Sequence, residues 1–401
     1  MKALLPKIKF KNFDEKWNRK KLHSIAPLRG GFAFKSEKFQ NTGIPVVRIS
    51  NIKFDGTVGG EFEYYSKIIP DEKFVLRGRS ILLAMSGATT GKIAMLDSEE
   101  EYYQNQRVGY FQNTGEVDYE FLSSVLQTKA FTNQLNAVLV AGAQPNISSK
   151  EIDSFGFYLP DSTEEQSAIG SLFRTLDDLL SNYKENLANY QSLKATMLSK
   201  MFPKAGQTVP EIRLDGFEGE WENKRADEIF KSVSEKNRAL LPVLSASQID
   251  GMVLRDEIGI DIKYDEATLN NYKLVKPGQF VIHLRSFQGG FALSKLEGIT
   301  SPAYTIIDFI DKVNNLPDFW NSILTSRDFI KRLETVTYGI RDGKSISFKD
   351  FSSLKFVFPE FKEQQAIGSY FSNLDNLINS HQEKISQLET LKKKLLQDMF
   401  I

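Results

Sequence analysis

The sequence predicts an α+β protein built from two like halves, each a strand-rich globular part followed by one long helix. Three observations lead there: an internal repeat, a heptad pattern of apolar residues closing each half, and short β-branched and aromatic runs broken by Gly, Asn and Asp. At 401 residues the chain is long enough for two to three domains of ordinary size.

The repeat opens each half. Pro6–Trp17 reads PKIKFKNFDEKW and returns as PEIRLDGFEGEW at Pro210–Trp221. A longer match sets Glu165–Phe202 against Glu363–Phe400, with 16 of 38 positions identical. Weaker echoes lie between: Asn146–Pro160 against Ser345–Pro359, Gly78 and Ser86 against Gly278 and Ser286, and Leu126, Phe131 and Leu135 against Leu324, Phe329 and Leu333. The boundaries that follow are a globular part at 1–159, a helical region at 160–203, a second globular part at 204–358 and a second helical region at 359–401.

Within the globular parts, Ile44–Ile49, Ser80–Met85, Lys92–Leu96 and Val108–Gln112 read as strands, as do Gln279–Leu284 and Tyr304–Phe309. One helix is expected near Tyr119–Asn136 and its counterpart near Asp318–Glu334. In the first helical region the apolar residues fall at Ile169, Phe173, Leu176, Leu180, Tyr183, Leu187 and Tyr190; in the second at Ile367, Phe371, Leu374, Ile378, His381, Ile385 and Leu388. Spacings of four and three mark a coiled-coil seam. Ser162 with Glu165 suits a capping box at the first helix start, and Pro203 stops that helix. Each helix would run about 57 Å. Burying each large seam side chain is worth about 1.5–3 kcal/mol, so the stripes need a partner. The nearest is the other copy, paired antiparallel about a pseudo-twofold axis with a globular part at each end; pairing between two chains is the alternative. The helix-pairing residues expected are Ile169, Phe173, Leu176, Leu180, Leu187, Ile367, Phe371, Leu374, Ile378 and Ile385.

Composition narrows the function. No apolar run approaches the roughly 20 residues that cross a bilayer, no secretory leader is visible, and cysteine is absent, so a cytoplasmic location without membrane association is expected. With no thiols and only His23, His283 and His381, a metal cluster is not expected. The net charge is zero, although residues 1–159 carry 21 basic against 17 acidic side chains, enough for a basic face.

Catalytic motifs are missing. SGATTGK at Ser86–Lys92 encloses three residues between its glycines and continues with Ile93, so it is no P-loop, although its amides with Ser86, Thr89, Thr90 and Lys92 can reach a phosphate or base edge; a plain hairpin turn is the equal alternative. Asp215 with Glu222, Asn223 and Lys224 has a nuclease-like spacing, but Asn18, Arg19 and Lys20 stand opposite, so the carboxylate is not part of the repeated plan. No nucleophile elbow, dinucleotide-binding glycine motif or amino-methylation tetrapeptide is present. What recurs is amide-rich and basic: Lys35, Arg48, Gln104, Asn105, Gln106, Arg107 and Gln144 in the first part, and Gln248, His283, Arg285, Ser286, Gln288, Tyr338, Arg341 and Lys344 in the second. Asn and Gln pair with adenine and Arg with guanine, so the set suits base reading, although each alone is an ordinary surface residue.

Several of these stretches resemble type I restriction-modification specificity subunits: Pro160–Gly170 with its copy Pro359–Gly368, the Leu176-Asp177 and Leu374-Asp375 pairs, the openings at Trp17 and Trp221, and the segments 146–148 and 345–347. The resemblance covers essentially the whole chain and is most specific in the helices. It implies two target-recognition domains, each reading half of a split double-stranded DNA sequence, held apart by helices that dock methyltransferase subunits, two per chain. It also implies that adenine methylation with S-adenosylmethionine, and ATP- and Mg2+-dependent translocation and cleavage by restriction subunits, belong to partners, this chain carrying no cofactor and no catalysis. Because Met85 stands opposite Arg285 and Leu83 opposite His283, the two half-sites should differ. A coiled-coil scaffold whose globular heads bind protein is the competing reading.

Overall fold

The computed structural model describes residues 5–141, 146–247, 250–258, 266–283, 290–336 and 347–401. The chain forms two compact units, and the division runs through the long helices rather than at their ends: Met1–Lys184 with Glu383–Ile401, and Glu185–Gln382.

In the first unit an antiparallel sheet has the order Leu28–Gly30, Val108–Phe111, Ser80–Ala84, Ile93–Leu96. Its central strand Ser80–Ala84 is buried on both faces, which explains its unbroken apolar run. Ile81 and Leu83 enter a core with Trp17, Phe111, Phe121, Phe131, Ile169 and Phe173. Leu82 and Ala84 point the other way, onto Val47, Ile52, Leu76 and Ala94. A second, mixed sheet has the order Glu63–Tyr65, Ile44–Val47, Tyr102–Gln104, Val75–Leu76. A two-stranded ladder of Asn18–Lys21 with Gly156–Leu159 delivers the chain to the first long helix, Thr163–Lys200.

The second unit repeats the plan. Phe230–Val233, Thr305–Phe309, Phe280–Ile282 and Phe291–Leu293 form a sheet of the same order, with Phe280 and Ile282 in the main core and Val281 on the opposite face. Glu222–Arg225 pairs with Lys355–Phe358 and leads to the second long helix, Phe361–Asp398. The outer strands diverge: among the described residues they form two separate two-stranded ladders, Leu244–Ser247 with Gly251–Leu254 and Lys273–Val275 with Gly298–Thr300.

All six expected strands are present within a residue or two of their expected ends. The single helix expected in each half is instead two, Tyr119–Val125 with Lys129–Ala141 and Pro317–Leu324 with Arg327–Val336. The break has a local cause. The Thr128 hydroxyl donates to the Val125 carbonyl and accepts from the Phe131 amide, and Ser326 accepts from the Phe329 amide, so each hydroxyl starts a new helix.

Each long helix is anchored to its own unit by two repeated residues. The Gln166 carbonyl oxygen accepts from the Asp118 amide while its NH2 donates to the Pro160 carbonyl. Gln364 does the same with Leu316 and Pro359. One turn later stands a glycine: a Cβ on Gly170 would lie 2.5 Å from the Phe121 amide nitrogen, and one on Gly368 would lie 2.9 Å from a Leu316 methyl and 3.3 Å from the Phe319 amide nitrogen. A mid-helix glycine normally costs about 1 kcal/mol relative to alanine; here it admits a neighbouring helix start. Gly170→Ala is therefore expected to destabilise the chain by about 1–3 kcal/mol despite its better helix propensity, and Gly368→Ala by less, because a methyl can give where a backbone cannot. Equal or raised melting temperatures for Gly170→Ala would contradict this packing.

Candidate nucleic-acid interface and helix-pairing seam

The seam residues do what their spacing demands. Ile169, Phe173, Leu176, Leu180, Ile367, Phe371 and Leu374 are buried; Leu187, Ile378 and Ile385 are half-buried, as a two-stranded pairing leaves them. In the first unit Phe400 meets Phe173 at 5.7 Å between ring centroids, Lys392 pairs with Asp177, and Lys184 lies 2.8 Å from Glu389. Partners descend along one helix as they ascend along the other, so the pairing is antiparallel. In the second unit Phe202 meets Phe371 at 6.0 Å, Tyr190 meets His381 at 5.2 Å, and Lys194 pairs with Asp375. Lys194 and Lys392 occupy seam positions, one heptad step beyond the apolar stripe. They engage the aspartates of the two repeated Leu-Asp pairs, giving each unit the same ion pair. A purely apolar search passes over them.

The two helix starts carry buried glutamates solved differently. Ser162 accepts from the Glu165 amide, but the reciprocal half of the expected capping box is not made: the Glu165 carboxylate accepts from the Trp17 indole at 3.2 Å instead. Burial raises the Glu165 pKa, and the indole hydrogen bond opposes that shift. Glu363, equally buried, is gripped by both arms of Arg213 at 2.8 and 2.7 Å, while the Trp221 indole has no acceptor among the described residues. The corresponding Lys9 in the first unit pairs with Asp14. A carboxyl whose pKa is raised on folding binds its proton more tightly in the native state, so its contribution falls as pH climbs from the unfolded carboxylate range through the native value. Glu165→Gln is thus expected to raise the melting temperature at pH 7 and leave it little changed at pH 4. Glu363→Gln should lower it at pH 7 by stranding Arg213. Melting curves at both pH values check this, and equal responses of the two variants would contradict it.

The candidate DNA-facing residues of the first unit separate into two groups. The loop Ser86–Lys92 is a hairpin connection between strands Ser80–Ala84 and Ile93–Leu96, shaped by Gly87 and Gly91 at φ +80° and +85°. Thr89 donates to the Ile49 carbonyl at 3.2 Å and Thr90 to that of Gly87 at 2.6 Å. Ser86 is half-buried beside Met85, whose amide donates to the Arg107 carbonyl at 2.9 Å. Arg107 and Gln106 are exposed on the turn before Val108–Phe111, and Asn105, half-buried, starts that turn. Lys92 stands over the Phe54 ring, 4.7 Å from its centroid. These residues therefore share one neighbourhood.

Others do not join it. Gln104 is fully buried and is corrected from a base reader to a core residue: its NH2 donates to the Arg29 and Val108 carbonyls and its oxygen accepts from Arg29. Burial lowers the pKa of that arginine, whose guanidinium also lies 4.7 Å from the Tyr110 ring centroid. Arg48 is half-buried, 3.5 Å from the Glu63 carboxylate. Lys35 is exposed just before the short turn Ser36–Lys38, on a separate loop. In the second unit His283 is buried, 6.1 Å from the Tyr304 ring, and so is also corrected from a base reader to an interior residue. Gln144, Gln248, Arg285, Ser286, Gln288, Tyr338, Arg341 and Lys344 lie outside the described residues. The nuclease-like carboxylate Glu222 sits on an edge strand, 2.6 Å from Lys224, and no metal-holding cluster occurs among the described residues. No helix among them is long and apolar enough to cross a membrane.

Comparison with known proteins follows the same division. The type I restriction enzyme MjaVIII specificity subunit of Methanocaldococcus jannaschii is 26% identical over 196 residues, covering 46% of this chain and 45% of its own length. The match thus spans about half of that relative. A crystal structure of a type-I restriction-modification system S subunit from M. genitalium shares the fold, with a TM-score of 0.62 over 99% of both chains at 15% identity. A family model for the type I restriction modification DNA specificity domain matches twice, at residues 14–190 and 218–390, once on each half of the repeat. With most of its length accounted for by two such matches, the chain belongs to the type I restriction modification DNA specificity domain family.

Proposed function

We propose that this chain is the DNA-recognition subunit of a type I restriction-modification complex in the cytoplasm, reading an asymmetric bipartite double-stranded target. In this reading it directs adenine methylation and restriction by partner subunits that carry the S-adenosylmethionine, ATP and Mg2+ chemistry. The observation that carries the reading is a contrast within the repeat. The helix anchors, seam and ion pairs recur 198 residues apart, while the outer strands differ among the described residues and the loops differ in sequence. A shared frame with dissimilar loops suits two readers of different half-sites, and tethering them converts two weak readings into one selective one through effective concentration.

Two equivalent methyltransferase partners fit a further repetition. Leu179 and Leu377, and Leu193 and Leu391, are 39, 41, 37 and 45% exposed. Each stands one residue before a seam position, on the helix edge opposite Asp177, Lys184 and Glu389. Single-molecule sequencing of methylated adenines in cells expressing the chain with its methyltransferase subunit should reveal a split motif. Exchanging residues 1–159 for those of another family member should change one half of it and keep the other half. An unaltered motif after that exchange would sink the proposal.

A further inference from the structure

Phe54 is one of several large apolar side chains that the first unit exposes, with Phe32, Ile69 and Val140. It is 73% exposed, yet it stands on an ordered turn. The Lys53 amide donates to the Thr57 carbonyl at 3.0 Å and the Gly56 amide to that of Lys53 at 3.3 Å. Gly56 has φ +85°, and the Asp55 carboxylate accepts from both the amide and the hydroxyl of Thr57. Below the turn Ile52 is fully buried and bridged to Val58. The Gly56 carbonyl accepts from the Met95 amide at 2.9 Å, which ties the turn to the strand that follows the Ser86–Lys92 loop. Among the described residues the ring's one aromatic or cation–π contact is with the Lys92 ammonium, and turn positions are ordinarily polar. The fold thus holds an apolar side chain rigidly in solvent.

Its surroundings indicate what it meets. Lys92 lies over the ring, and Lys53 precedes it, its ammonium donating to the Ser50 carbonyl at 3.0 Å. Among the described residues neither ammonium has a carboxylate within ion-pairing distance, nor does the nearby Arg107, whereas Lys20, Lys67, Arg77 and Arg79 of the same unit are all matched by acids. Asp55 is the one acid in the turn, and one of its carboxylate oxygens accepts from both the amide and the hydroxyl of Thr57. An aromatic ring fixed between unmatched cations fits a ligand that offers anionic groups beside a flat apolar surface.

We propose that Phe54 is a wedge that inserts at a base step of the first half-site, with Lys53 and Lys92 on the flanking phosphates. This rests on the DNA-recognition reading above and adds a positioning residue to it. A wedge of this kind trades unstacking of one step for a bent duplex that meets more protein surface.

The test uses the chain assembled with its methyltransferase subunit and a synthetic duplex carrying the motif found by sequencing. Phe54→Ala is expected to lower kcat/KM for methylation by on the order of tenfold, and Phe54→Trp to stay within a few-fold of the parent. A single mismatch placed at successive steps of the first half-site should restore the Phe54→Ala variant at one step only, because the unstacking is then already done; mismatches in the second half-site should restore nothing. Lys92→Gln should weaken binding at every sequence and flatten its salt dependence. Unchanged kcat/KM in Phe54→Ala, or a loss that no mismatch restores, overturns the wedge while leaving the DNA reading intact. Loss of co-purifying methyltransferase subunit would assign the ring to a protein contact and likewise overturn it. A parent complex that methylates no split motif would overturn the DNA reading itself.

Discussion

Phe400→Ala is expected to loosen the first unit, most of whose core residues lie more than 200 positions earlier in the chain. The Phe400 ring sits 6.0 Å from Trp17, 5.8 Å from Phe121 and 5.7 Å from Phe173, and its neighbour Met399 is 2% exposed in the same core. Removing the ring leaves a hole among three aromatic side chains that cannot collapse, at a cost of about 3 kcal/mol. For a unit of this size that corresponds to a drop of roughly 6–12 °C in its melting temperature. Hydrogen exchange should localise the effect: amides of Ser80–Ala84 lose protection while those of Phe280–Ile282 keep it. Phe202→Ala should give the mirror image, since Phe202 lies 6.1 Å from Trp221, 5.8 Å from Phe319 and 6.0 Å from Phe371. Parallel loss in both units from either variant would refute this account of the two cores.

Leu374→Asp should do more. Leu374 is 5% exposed in the second core, with Phe371 and Phe202 close by and Asp375 next in the chain. A carboxylate there would be buried without a cation, since Lys194 already pairs with Asp375. The expected cost is about 4 kcal/mol or more, combining the lost apolar burial with an unpaired buried charge. Limited proteolysis should then cut within both long helices. Native protease resistance in this variant would show that the seam does not hold the helices.

How much of this was legible in the sequence depended on the range of the physics. The heptad stripe is a local pattern and translated directly into Ile169, Phe173, Leu176 and their copies on the seam. The repeat carried over the helix anchors too, but as letters without a reason: that Gln166 and Gln364 serve the Asp118 and Leu316 amides emerges only once the chain returns to meet the helix. The Thr128 and Ser326 caps were readable in principle, each a hydroxyl residue followed by a basic one and, three positions on, a phenylalanine. Gln104 misled because an amide flanked by Asn, Gln and Arg looks like loop surface, whereas the strand Tyr102–Gln104 is covered on both faces and Gln104 lies inward against Arg29. Phe54 escaped notice because one phenylalanine in a polar stretch has no period to betray it.

The nesting of the two units has a bearing on how the protein is made. The second unit is one continuous stretch of chain, Glu185–Gln382, inserted within the first, whose last side chains include Met399 and Phe400. Domains generally fold as they leave the ribosome, the amino-terminal one first. Here that order reverses: the later-translated lobe has all its parts in hand while the earlier one still waits, with Trp17 and Phe121 uncovered, for Met399 and Phe400 to be made.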